Sequence, residues 1–149
     1  MGLKELQDQI IDEFASLVDS LDKYELLIRH GALMPAMDNK FRIDKYAIKG
    51  CQSKLWIASE VIDGNMIFHA DSDSKIVRGM AAVVLKVVNN QSPYQVAKAE
   101  LYFINKIGLQ NHLSPVRANG LATIVKRIHE LADDYVNHSA GEKFPQGKN

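Results

Sequence analysis

The sequence predicts an α+β domain in which helices pack on a small three-stranded antiparallel sheet. Three observations carry that expectation. Apolar residues recur at three- and four-residue steps near both ends of the chain, the signature of amphipathic helices. In the middle, two β-branched and aromatic runs flank Asp63-Gly64, the pairing that a tight hairpin turn favours. A long and mostly apolar run follows, Ile76 to Val88, and reads as a buried helix.

Each element has a local reason. Leu3, Leu6, Ile10, Phe14, Leu17 and Leu21 fall on one helical face, opposite Lys4, Glu5, Asp8, Asp12 and Glu13. Asp19 or Ser20 can cap a second helix. Gly31 suits its left-handed C-terminal residue, and Pro35 forbids continuation. "MPAMDNKFRIDKY" then reads as a polar connector, and "YAIKG" as the third strand. The hairpin spans "KLWIASEVIDGNMIFHADSD", with Trp56 expected in the core. Ser72, Asp73 or Ser74 caps the central helix, which the Asn89-Asn90 turn and Pro93 end. "YQVAKAELYFINKIG" supplies one or two short helices and "LQNHLSPVRANG" a loop. "LATIVKRIHELADDYVNHS" is the last long amphipathic helix. The 149 residues are read as a single domain, with about 140–149 a disordered tail.

Composition narrows the function. A chain of this length buries about 68–70% of its unfolded surface, so a core forms without disulfides or metal. Eighteen basic residues balance eighteen acidic ones, which argues against nucleic-acid backbone binding. No apolar run approaches the roughly 18 residues that span a bilayer, and "MGLKELQDQIIDEF" does not read as a secretory signal. With one cysteine and no internal disulfide possible, a reducing cytoplasm is expected.

That cysteine, Cys51, poses the functional question. As a small apolar side chain it could be inert packing. Yet Gly50 precedes it, polar Gln52 and Ser53 follow, and Lys49 and Lys54 flank it with charge that favours the reactive thiolate. Local sequence leaves both readings open. Zinc or an iron–sulfur cluster wants several clustered ligands. His30, His69, His112, His129 and His138 form no close pair, so no metal site is expected. A Cys–His hydrolase would need a histidine base near the thiol, and His69 is the candidate. Sulfur transfer needs one nucleophilic cysteine and no second thiol nearby to discharge a persulfide.

Three blocks then converge. "GCQSKLW" (Gly50–Trp56), "DSDSKIVRG" (Asp71–Gly79) and "LSPVRANGL" (Leu113–Leu121) resemble, in order and separation, those of the SufE family of sulfur-acceptor proteins. The resemblance runs from about Leu3 to Asn137. It implies an α+β fold similar to the IscU scaffolds. It also implies a partnership with a pyridoxal-phosphate cysteine desulfurase of the SufS or CsdA kind. The chain would not itself be an enzyme. It would accept sulfur on Cys51 as a transient persulfide, stimulate the desulfurase, and pass sulfur to an iron–sulfur assembly scaffold. It would hold no cofactor, the pyridoxal phosphate belonging to the partner. Gly50, Gln52 and Ser53 would shape the cysteine loop. Arg117 would stabilise the thiolate, contact the partner, or serve the start of the last helix. Asp71 and Asp73 would cap the central helix or meet a basic patch on the partner, with Lys75 and Arg78 solvated. Asn119 and Gly120 would shape the start of the last helix. The acidic "DSLDKYE" departs from a more aromatic stretch in some relatives. Two other readings stand beside this one: a Cys-independent module that activates a desulfurase by binding alone, and the hydrolase.

Overall fold

Asp63 and Gly64 adopt φ of 53° and 83°, the two positive angles of a type I′ turn, whose twist matches that of paired strands. In the computed structural model, which describes residues 1–49, 52–108 and 113–143, this turn joins β1 (Leu55–Ile62) to β2 (Asn65–Ser72). The strands pair antiparallel from Leu55–Ser72 to Ile62–Asn65. The sheet has two strands among the described residues, not the expected three. Residues Asp44–Tyr46 wind into a 3₁₀ turn, so only Ala47 and Ile48 can lie along β1. Ala47 makes an isolated bridge to Trp56, and the Ile48 N–H donates to the Leu55 carbonyl at 2.8 Å. The β2 edge is closed by the chain after the central helix. The Met66 N–H donates to the Gln91 carbonyl (2.8 Å) and the Phe68 N–H to the Asn89 side chain (2.7 Å).

The helices are α1 (Leu3–Ala15), α2 (Ser20–Leu33), α3 (Lys75–Val88), α4 (Pro93–Lys98), α5 (Phe103–Lys106) and α6 (Pro115–Lys143). The first apolar face is divided between two of them. Asp19 breaks it by accepting from the Leu21 N–H at 2.9 Å, which starts α2 and leaves Leu21 65% exposed. Ser74 caps α3 through the Val77 N–H. Eleven of the 14 residues of α3 are buried, as befits a helix that is apolar on nearly every side. It touches α1, α2, α6 and β2, and the core forms around it.

Gly31 does not end α2, which runs on to Leu33. Its purpose is close approach. A Cβ at Gly79 would fall 2.2 Å from the Leu27 carbonyl oxygen, and one at Gly31 would fall 2.9 Å from the Gly79 nitrogen. The two glycines let the backbones of α2 and α3 cross in contact. The polar connector contains Met37 and Phe41, both buried. With Ala58 they form a small second cluster on which Trp56 lies half-buried rather than in the main core. The last helix begins at Pro115, so "PVRANG" is helical and not loop, and its backbone continues to Lys143, into the expected tail. Proline at the first helical position needs no amide hydrogen there, and the Ser114 hydroxyl accepts from the Arg117 N–H at 3.3 Å.

Candidate functional site

The amino ends of α3 and α6 meet beside the stem of the loop that precedes β1. Between them opens a groove of about 590 Å³ lined by Gln52, Ser53, Ser74, Val77, Arg117 and Asn119, among others. Every one of the three sequence blocks contributes to it. Among the described lining residues Arg117 is the only charged group, and none is a carboxylate. Each helix start also presents the positive end of its backbone dipole. A groove so lined suits an anion such as a thiolate or persulfide.

The loop stem is held by a short ladder. The Asp73 carboxylate accepts from the Lys54 N–H at 2.9 Å, and the Lys54 carbonyl accepts from the Ser72 hydroxyl at 2.6 Å and from the Asp73 N–H at 3.3 Å. Ser72 Oγ in turn accepts from the Ser74 N–H at 3.2 Å. The Asp73 carboxylate thus ties the stem to the start of α3, while Ser74 does the capping. Gln52 is exposed and Ser53 half-buried at the groove. Gly50 and Cys51, the centre of the sequence prediction, lie outside the described residues. Arg117 stands exposed on the first turn of α6, its guanidinium 5.7 Å from the centroid of the Tyr24 ring on α2. The ring holds a flexible cation in place by a cation–π contact. Asn119 and Gly120 lie inside the helix rather than before it.

Asp71 and Arg78 do not take the roles expected of them: Asp71 neither caps α3 nor stands at the surface to meet a partner, and Arg78 is not solvated. Asp71 is buried, pairs with both Arg42 and Arg78, and accepts from the Ser72 N–H at 2.8 Å. Arg78 also donates to the carbonyls of Gly31 (2.8 Å) and Met34 (3.0 Å) at the end of α2. A buried carboxylate demands such partners, so this network is a clasp among β2, α2 and α3. His69 pairs with Glu60 at 2.7 Å, stacks on Phe41 at 4.7 Å, and does not line the groove. His30 is buried against Glu13 at 2.6 Å, and His129 meets the Ala99 carbonyl at 2.9 Å. His112 lies outside the described residues.

Sequence reasoning missed Tyr24, Ser114 and Arg42. Ser114-Pro115 carried a legible signal for Ser114, a cap followed by proline. Tyr24 and Arg42 carried none, since their contacts join segments far apart in the chain.

Comparison with known proteins bears on the same blocks. The family model described as "SufE: Fe-S metabolism associated domain" matches residues 8–132. An uncharacterized SufE-like protein of Rhizobium meliloti is 35% identical over 131 residues, covering 85% of this chain and 94% of its own. One from Rhizobium etli is 37% identical over 130 residues, covering 84% and 88%. The solution structure of a hypothetical protein from Thermus thermophilus superposes with a TM-score of 0.73 at 19% identity, over 89% of this chain and 96% of that one. That last likeness speaks for the fold alone.

Proposed function

Because the chain belongs to the SufE family, with its tie to iron–sulfur metabolism, we propose that it is a sulfur acceptor that works with a cysteine desulfurase. The Cys51 thiolate attacks the outer sulfur of the desulfurase's cysteine persulfide. A new S–S bond forms on Cys51, the donor's S–S bond breaks, and the donor's thiolate leaves. No net oxidation occurs. The persulfide then travels to an iron–sulfur assembly scaffold, and clearing the desulfurase of sulfur raises its turnover. Pyridoxal phosphate belongs to the desulfurase, and the exchange takes place in a reducing cytoplasm. No helix among the described residues is long and apolar enough to cross a membrane.

One observation carries this reading: the three blocks, distant in sequence, meet at one groove with a guanidinium and no carboxylate among its described lining residues. The hydrolase alternative loses ground because His69 is engaged with Glu60 and Phe41 and does not line that groove. The test is sulfur loading. After incubation with a purified cysteine desulfurase and L-cysteine, intact-mass spectrometry should show one added sulfur, about 32 Da, on wild type and none on Cys51→Ala. Unloaded wild type, or loading that survives Cys51→Ala, would reject it. Full stimulation of the desulfurase by Cys51→Ser would point instead to a module that acts by binding alone.

A further inference from the structure

The turn between α1 and α2 exposes apolar side chains that the core does not use. Val18 is 86% exposed and Leu21 65% exposed, side by side with half-buried Leu17. Contiguous exposed apolar surface marks contact sites, and these three apolar side chains fall within one short stretch, Leu17 to Leu21. Beside it lies a dent of about 260 Å³ lined by Glu13, Leu17, Asp22, Glu25, Leu26 and Arg29. Its leucines offer an apolar floor, and its carboxylates outnumber its single guanidinium. Asp22 and Glu25 make no ion pair within the described residues. The whole chain carries equal numbers of acidic and basic residues, so this acidity is a local property.

The corner is continuous with the groove. Leu21 and Tyr24 are three residues apart on α2 and so share a face, about 5 Å apart along the axis. The Tyr24 ring lies 5.7 Å from the Arg117 guanidinium. A protein that reaches the groove over Arg117 therefore covers Leu21 as well. We propose that the α1–α2 corner is the docking surface for the desulfurase, which meets it with an apolar patch ringed by lysine or arginine. This rests on the sulfur-acceptor reading. A lysine or arginine of the partner fits the dent by laying its methylene stem on Leu17 and Leu26 and its charge against Asp22 and Glu25. A second copy of this chain fits badly, because two acidic corners repel.

The test is acceptor-dependent desulfurase turnover, titrated with the full chain. Leu21→Asp should raise the half-saturating acceptor concentration about tenfold with the saturated rate and the alkylation of Cys51 by iodoacetamide unchanged. The pair Asp22→Lys with Glu25→Lys should do the same and abolish the weakening by salt expected of wild type. Leu33→Asp, at a side chain 76% exposed at the other end of α2, should have no effect. Unchanged half-saturation in both corner variants, or an equal rise in Leu33→Asp, overturns the proposal. So does a wild-type dimer, seen by sedimentation, that Leu21→Asp dissociates. Loading of wild type with sulfur separates the two failures: if it loads but the corner variants titrate normally, only the docking surface is wrong.

Discussion

Arg117 shows why a residue is better judged by what holds it than by its charge. Its backbone amide is tied to Ser114 and its guanidinium lies over Tyr24, so its cation stays at the groove despite being exposed. Lysine in its place would keep the charge but carry it on a compact, more strongly hydrated ammonium that meets the ring less well. On the sulfur-acceptor reading the guanidinium favours the Cys51 thiolate over the thiol. Arg117→Ala should then slow alkylation of Cys51 by iodoacetamide at pH 7 by about three- to tenfold and move the pH profile to higher pH. Arg117→Lys should fall between the two. Alkylation profiles that coincide for all three proteins would remove Arg117 from the chemistry. Asp73 is a different case. Its carboxylate is spent on the Lys54 amide, so at rest it serves the loop stem.

Among the elements, α3 shows what sequence can and cannot reveal. A cap among Ser72, Asp73 and Ser74, its length and its burial were legible, because they depend on residues close together in the chain. So was the hairpin, since a turn with positive φ at two successive positions favours a pair such as Asp63-Gly64. The blocks around the groove were legible by resemblance, though not that their residues line one groove. The crossing of α2 on α3 was illegible, because Gly31 and Gly79 lie 48 positions apart (79 − 31) and meet only in space. The same holds for the clasp of Asp71 with Arg42 and Arg78. A glycine inside a helix is costly and so asks for a reason. Gly79 and Gly120 answer differently. Gly79→Ala puts a methyl against the Leu27 carbonyl and should destabilise the protein by about 2–3 kcal/mol. At Gly120 the nearest atom to a new Cβ is Met80 Cε at 3.9 Å. Gly120→Ala should therefore be neutral or stabilise by up to about 1 kcal/mol. Urea titration of the two variants checks the contrast, and equal effects would mean that the crossing is not tight.

At the scale of the whole molecule, α1 is fastened to the rest by polar contacts as well as by Ile10 and Phe14. The buried Gln7 side chain accepts from the Phe103 N–H at 3.2 Å, and Glu13 meets His30 at 2.6 Å. Asp8 sits between Lys4 (2.9 Å) and the Tyr102 hydroxyl (3.0 Å). The hydrogen bond from Lys4, then that from Tyr102, hold the Asp8 carboxyl below its ordinary 3.8. Desolvation, then the bond to Asp8, push the Tyr102 hydroxyl above its ordinary 10.0, and the bond to Asp8 raises Lys4 above 10.5. The signs agree. A lowered acid contributes its stability in full above 3.8 and loses it as pH falls through the lower folded value. The raised groups contribute below about 10 and lose it as pH climbs through their folded values. The cluster therefore fastens α1 to the start of α5 across the neutral range and releases it at both extremes. Lys4 is exposed and Asp8 and Tyr102 are only half-buried, so the effect is small and screened by salt. In a carboxyl-carbon NMR titration Asp8 should titrate below 3.8 in wild type and move back up toward that value in Tyr102→Phe, with a larger return in Lys4→Ala. An Asp8 that titrates identically in all three proteins would show that these contacts do not persist in solution and that α1 is held by its apolar face alone.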